Sequence, residues 1–284
     1  MRKSEISLNA ARSCLKRKMP RRFTFIELLI ILAVIVIQAQ LLLPALKRAK
    51  GKVRVTSCSD NLKKIGAAHQ SYISDYAGWL LPVTVQPYRS PDAKFHYYSM
   101  QWFGMLSGYT HRGFKQIIPG YGLKYGGIYD RKLSPDFDCP AEPMDFGPYD
   151  QNLFAYTHFA INGYLVGSNN QRDWVQSFNR KTDCLTDPSK ALIFADNRNL
   201  SNASMYPSVD SLAFRHGAAD PREYNGKEVQ PAAVTTGKCN MIFMDNHVGA
   251  ADYRTVMTWK PDKPVPRCYT SKYHMFLRGF DAFK

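Results

Sequence analysis

The stretch from Phe23 to Leu46, FTFIELLIILAVIVIQAQLLLPAL, constrains this chain more than any other part of it. Leu28 to Ile37 is apolar without interruption, and Phe23, Phe25, Ile26 and Leu41 to Leu43 extend the run on both sides. As a helix, Phe23 to Leu46 rises about 36 Å, enough to cross the roughly 30 Å hydrocarbon core of a bilayer. The rest arranges itself around that segment: a basic leader over 1–22, a transmembrane helix over 23–46, an amphipathic stem over 47–76 and an extracytoplasmic globular head over 77–284.

Thr24, Glu27, Gln38 and Gln40 are the polar residues inside the run. An acid at the bilayer centre costs about 2.5–3.5 kcal/mol on insertion scales, so Glu27 needs a reason. One is its place near the start of the run, where the side chain reaches the headgroup layer by snorkelling. Another depends on what precedes it.

Residues 1–22 carry Arg2, Lys3, Arg12, Lys16, Arg17, Lys18, Arg21 and Arg22 against the single acid Glu5. A basic flank running directly into an apolar helix keeps the N-terminus in the cytoplasm and sends the head across the membrane. Of the formal charge of +15, residues 1–22 hold +7, residues 23–76 hold +4 and residues 77–284 hold +4. The basic character therefore belongs to the membrane flanks, with Lys47, Arg48, Lys50, Lys52 and Arg54 on the far side. It does not describe a nucleic-acid surface.

Phe23-Thr24-Phe25-Ile26-Glu27-Leu28-Leu29 resembles the cleavage and methylation signature of type IV prepilins and type II secretion pseudopilins. The resemblance implies a cut between Arg22 and Phe23 by a prepilin peptidase and methylation of the new Phe23 amine. It also implies that Glu27 meets the N-terminal amine of a neighbouring subunit, offsetting the burial of both charges. Pro44 matches the kink-forming proline of many pilins. Arg22 stands where the family has Gly, so a cut before Phe23 and an uncleaved anchor both remain open, as do Met1 and Met19 as starts.

Beyond Pro44, which would remove the hydrogen bond to the Gln40 carbonyl and kink the helix without ending it, a second pattern begins. Val55, Cys58, Leu62, Ile65, His69, Tyr72 and Tyr76 recur at helical spacing, with Asp60, Lys63 and Lys64 elsewhere on the wheel. This is an amphipathic helix with one buried face. In the head, Gly78 to Pro82, Trp102-Phe103 and Pro119 to Gly127 read as loops around short elements. Tyr156 to Val166, Ala191 to Asp196 and Cys239 to Val248 read as strands of an antiparallel sheet against which the stem packs. The predicted class is α+β, a long N-terminal helix on a sheet-based, pilin-like head.

The resemblance extends into the head. Ser57-Cys58 with Asn61-Leu62-Lys63, Asp75-Tyr76, Cys139-Pro140, Asn162-Gly163-Tyr164, Pro188-Ser189-Lys190 and Phe194-Ala195-Asp196 are similar to a bacterial pilin-like family. Arg215-His216-Gly217 and Phe243-Met244-Asp245-Asn246-His247-Val248 match its closing His…Asp-Gly-His-type motif, with Asn246 in place of Gly.

Asp196, His216, Asp245 and His247 are chemically adequate ligands for zinc or another divalent ion, and Asp245 and His247 share a face if their strand continues. The alternative is that they hydrogen-bond loop backbone at strand ends, with no cofactor at all. Of six cysteines, Cys14 falls in the leader, and Cys58, Cys139, Cys184, Cys239 and Cys268 fall in the head side, where oxidation is permitted. Five is odd, so one thiol stays free or pairs between molecules. A Cys58–Cys139 bond would tie stem to head, and a second bond could join two of the other three.

No phosphate-cradling glycine loop, nucleophile elbow or HExxH occurs, so no enzyme chemistry is expected. The leading expectation is a structural subunit of a pilus or pseudopilus-type filament in the cytoplasmic membrane, head outside, whose partners are the peptidase, the membrane and other pilin-like subunits. The alternative is an anchored module that binds a ligand through Trp79, Trp102 and Trp174 or hydrolyses one with the Asp/His set.

Overall fold

The computed structural model describes residues 24–84, 101–108, 120–125, 135–147, 153–154, 156–167, 179–200, 203–205, 211–217, 237–261 and 274–281. Its first element is helix α1, Phe25–Asp75, and the chain divides into two compact units, Met1–Arg48 and Ala49–Lys284.

In the first unit α1 opens on a capping box. The Thr24 N–H and hydroxyl both donate to Glu27 Oε2, at 2.8 and 2.9 Å, and the Glu27 N–H donates back to Thr24 Oγ1 at 3.3 Å. Two backbone donors that the first turn leaves unpaired are thereby satisfied. The helix continues through Pro44 rather than ending there. Its apolar side chains lie on the outside, Phe25 at 76% exposure and Leu41 at 75%, and none of its most apolar stretch is buried by the rest of the chain. The helix is long and apolar enough to cross a membrane.

In the second unit the remainder of α1 buries one face. Cys58, Leu62, Ile65, His69 and Tyr72 are buried, as their spacing predicts, and Asn61, Gly66, Ala68 and Ile73 join them. Val55 is half-buried, and Tyr76, just past the end of α1, is exposed. Ala77 and Gly78, with φ of 50° and 84°, then swing the chain away. The short helix α2, Trp102–Ser107, follows, ending on Gly108 in the left-handed conformation.

Among the described residues the sheet has five strands: β1 Phe159–Asn162, β2 Leu192–Asp196, β3 Ser204–Met205, β4 Lys238–Phe243 and β5 Val248–Asp252. Their order is β3-β1-β2-β4-β5, with β1, β2, β4 and β5 antiparallel and the two-residue β3 added parallel to β1. Strands β1 and β2 are buried along their whole length, which explains why they read as continuous apolar runs rather than alternating ones. Helix α1 packs on this sheet. His69 meets Phe194 of β2 edge-on with ring centres 5.5 Å apart, and the Gln70 amide donates to the Met244 carbonyl at 2.8 Å. Gly66 marks the closest approach, since a Cβ there would overlap Ile242 Cδ1 and Asn246 Oδ1.

Two strand expectations are corrected. The run 156–166 holds β1 but then turns into helix α3, Gly163–Val166, because the Asn162 side chain accepts from the Tyr164 N–H at 3.1 Å and caps it. The run 239–248 is a hairpin: β4 ends at Phe243, the chain reverses over 244–247 with Asn246 at φ 68°, and β5 begins at Val248. Asn, like Gly, tolerates that left-handed conformation.

Candidate metal centre

Four segments far apart in sequence bring their polar side chains to one place in the head. Cys58 comes from the buried face of α1. Cys139 comes from a turn closed by the Glu142 N–H to the Cys139 carbonyl at 2.9 Å, and its own N–H donates to His158 Nδ1 at 3.0 Å. Asp196 ends β2, where the Asn240 N–H of the adjacent β4 donates to its Oδ2 at 2.7 Å. His216 is held by a two-way backbone pairing with Lys238 at the start of β4, at 3.0 and 2.8 Å.

The ligating atoms of Cys58, Cys139, Asp196 and His216 all lie within 4.8 Å of one another. His216 Nε2 stands 2.9 Å from Asp196 Oδ2, the Cys58 thiol donates to Asp196 Oδ1 at 3.1 Å, and Cys139 Sγ lies 3.9 Å from His216 Nε2. Beside them Arg215 Nη1 donates to Glu142 Oε2 at 2.6 Å, and its Nη2 donates to the Asn197 carbonyl.

Electrostatics couple these groups. Burial works against charge on Asp196 and on His216, but each favours the other's charge and outweighs it. The Asp196 carboxyl is held below its ordinary range, and the His216 imidazole is raised to about 10. Burial pushes the Cys58 thiol up, aided by Cys139 and the Asp196 charge. Burial also opposes ionisation of Cys139, yet Cys58, Arg215 and His216 together draw its thiol below the ordinary value. Arg215 stays charged despite burial, balanced by Cys139, Glu142 and Asp196.

The four residues are a chemically sound set for a tetrahedral cation: two thiols, one imidazole and one carboxylate. Cys58, Cys139 and Asp196 are fully buried and His216 is 3% exposed. Such closure suits holding an ion.

The sequence-based site is thus half corrected. Asp196 and His216 come together, but Asp245 and His247 do not join them. Those two pair with each other, His247 Nδ1 to Asp245 Oδ1 at 2.6 Å, on the exposed hairpin turn. The reason is the length of β4, which places its two ends about 17 Å apart at 3.3 Å per residue, with Lys238 and His216 at one and the turn at the other. The expected Cys58–Cys139 disulfide is not formed, and both are free thiols lining the same cluster. Cys184 and Cys239 are also free, and Cys268 lies outside the described residues.

Arg22 and Phe23 also lie outside the described residues, while Glu27 caps α1 and Pro44 sits within it. Of the proposed ligand-binding tryptophans, Trp102 is a core residue whose Nε1 donates to the Ala203 carbonyl at 2.7 Å. Trp79 is exposed beneath the Lys181 ammonium, and Trp174 lies outside the described residues. Sequence reasoning missed the capping box, although Thr24-x-x-Glu27 is its signature, and missed the thiols as partners of Asp196 and His216.

Fold and site together define an α+β head that follows a helix capable of crossing a membrane. Comparison of the chain with protein families, curated proteins and solved structures finds no match.

Proposed function

We propose that this chain is a pilin-like structural subunit, anchored in the cytoplasmic membrane by residues 23–46 and displaying its head outside. The observation that carries the reading is the outward apolar surface of α1 from Phe25 to Leu46, which the chain itself leaves uncovered. Apolar area of that extent demands a non-aqueous surrounding, and lipid before assembly and neighbouring helices after it both supply one.

The residues that resemble a prepilin signature give the reading its finer form. A prepilin peptidase would cut between Arg22 and Phe23, and copies or relatives of the chain would then pack helix on helix. Glu27 already accepts from the N–H of Thr24, the second residue after that cut. During assembly it would exchange this contact for the N-terminal amine of a neighbour, so that the helices register by one charge pair rather than by apolar contact alone. The head's role in this scheme is display, with no reaction assigned to it.

N-terminal mass spectrometry of protein recovered from membranes tests the processing step, with methylated Phe23 as the expected terminus. Cross-linking between neighbouring helices tests assembly, and Glu27→Ala is expected to abolish it while leaving the chain in the membrane. An intact leader together with cross-linking unaffected by Glu27→Ala would sink the subunit reading.

A further inference from the structure

We propose that Cys58, Cys139, Asp196 and His216 form a structural zinc centre that clamps α1 to the sheet. The inference concerns the head alone and stands apart from the filament reading.

Geometry carries it. A tetrahedral zinc ion with Zn–S near 2.3 Å and Zn–N or Zn–O near 2.0–2.1 Å spaces its ligand atoms about 3.3–3.8 Å from one another. The separations here are 2.9 Å between His216 Nε2 and Asp196 Oδ2 and 3.9 Å between Cys139 Sγ and His216 Nε2, on either side of that range, while Cys58 Sγ lies 3.1 Å from the other carboxylate oxygen, Asp196 Oδ1. Opening the closest pair by a few tenths of an ångström and drawing the widest pairs in by up to about 1 Å makes the cage. No pair in the cluster exceeds 4.8 Å.

The donor set selects the ion. Two sulfurs with one imidazole favour zinc over calcium or magnesium, which prefer all-oxygen shells. Loading exchanges one divalent cation for the protons its ligand atoms carry, on the thiols and on His216 Nε2, and these pass to solvent. Nothing is oxidised or reduced. Asp196 is aimed by the Asn240 N–H and Cys139 by its turn, the kind of supporting contact that fixes ligands.

The consequence is mechanical. The ligands come from α1, the turn carrying Cys139, the end of β2 and the segment beside β4, so one ion joins four parts of the head. With all four positions filled by protein, it supports the fold and activates no water.

The test uses the full chain, extracted in detergent under reducing conditions. Elemental analysis is expected to find stoichiometric zinc, and exchange for Co²⁺ is expected to produce the thiolate-to-cobalt absorption of a tetrahedral sulfur site. That absorption should vanish in the near-isosteric Cys58→Ser/Cys139→Ser variant, with helix content checked by circular dichroism, and persist in Asp245→Asn/His247→Ala. The wild type alone can overturn the proposal, either by showing no cobalt absorption when reduced or by yielding a Cys58–Cys139 disulfide peptide from membranes alkylated before extraction.

Discussion

Between Phe25 and Leu46 the chain turns leucine, isoleucine and valine outward, whereas the head turns Glu142, Asp196, Arg215, His69 and His216 inward. Each arrangement reverses the usual placement of its residue types. An exposed apolar side chain can be satisfied only from outside the chain, while a buried charge must be met from within. The head meets its charges: Arg215 finds Glu142, and Asp196 finds His216 and the Asn240 N–H. The first segment has a partner only for its one acid, Glu27, through Thr24. Its apolar surface therefore calls for lipid or protein, whereas the charged groups of the head's interior are met within the head itself.

Removing one member of a buried pair should break this balance most severely. Glu142 is fully buried side by side with Arg215, and it also accepts from the Met144 N–H at 3.1 Å. Glu142→Gln leaves the guanidinium without its carboxylate and is expected to lower the unfolding free energy by about 3–5 kcal/mol in denaturant titration. Replacing both members, Glu142→Leu with Arg215→Met, should recover most of the loss. A single variant within about 1 kcal/mol of wild type would mean that the pair is far better solvated than its burial implies.

The opposite experiment places a charge where the chain presents apolar surface. Ile35 is 54% exposed near the middle of the run, and Ile35→Lys should cost about 2.5–3.5 kcal/mol of membrane insertion, roughly a hundredfold in partition. Sedimentation of carbonate-washed membranes reads this directly. Thermal unfolding of the head should not move. Unchanged membrane retention would show that something other than hydrocarbon surrounds this stretch.

How far the sequence reveals each region follows from the range of the signal. The apolar run and the stem face Cys58, Leu62, Ile65, His69 and Tyr72 are set by local periodicity, so both are legible from the order of residues alone. The cluster is not, because its ligands at 58, 139, 196 and 216 are joined only by the packing of α1 on β2 and by the pairing of His216 with Lys238. Residue chemistry suggests Cys58 with Cys139 as one pair and Asp196 and His216 with Asp245 and His247 as a separate set, and only the folded head brings the first pair to Asp196 and His216. Asp245 and His247 mislead because an unbroken strand would put them on one face. The local clue against that strand is Asn246, standing in the position where the similar motif has Gly and adopting the left-handed turn that Gly would allow.

His69 offers a subtler comparison, between a buried ionisable group that has a charge partner and one that does not. Burial alone drives its pKa down to about 3, and the neutral ring accepts the Leu81 N–H at Nε2, 3.4 Å away, while lying edge-on to Phe194. Protonation would convert that acceptor into a donor facing a donor. Below the unfolded value of about 6.5 the unfolded chain takes up a proton that the native head refuses, so stability is greatest above pH 6.5 and falls as pH drops toward 3. One such group changes stability by about 1.4 kcal/mol per pH unit within that window, or about 2 kcal/mol between pH 7 and pH 5. His69→Leu removes the titration together with the acceptor for Leu81, so it should be less stable at pH 7 yet lose about 2 kcal/mol less on acidification. Denaturant unfolding of both proteins at the two pH values gives the difference, in which all other titrating groups cancel. Equal acid sensitivity in the two would show that the imidazole is protonated inside the native head, against its burial and its bond to Leu81.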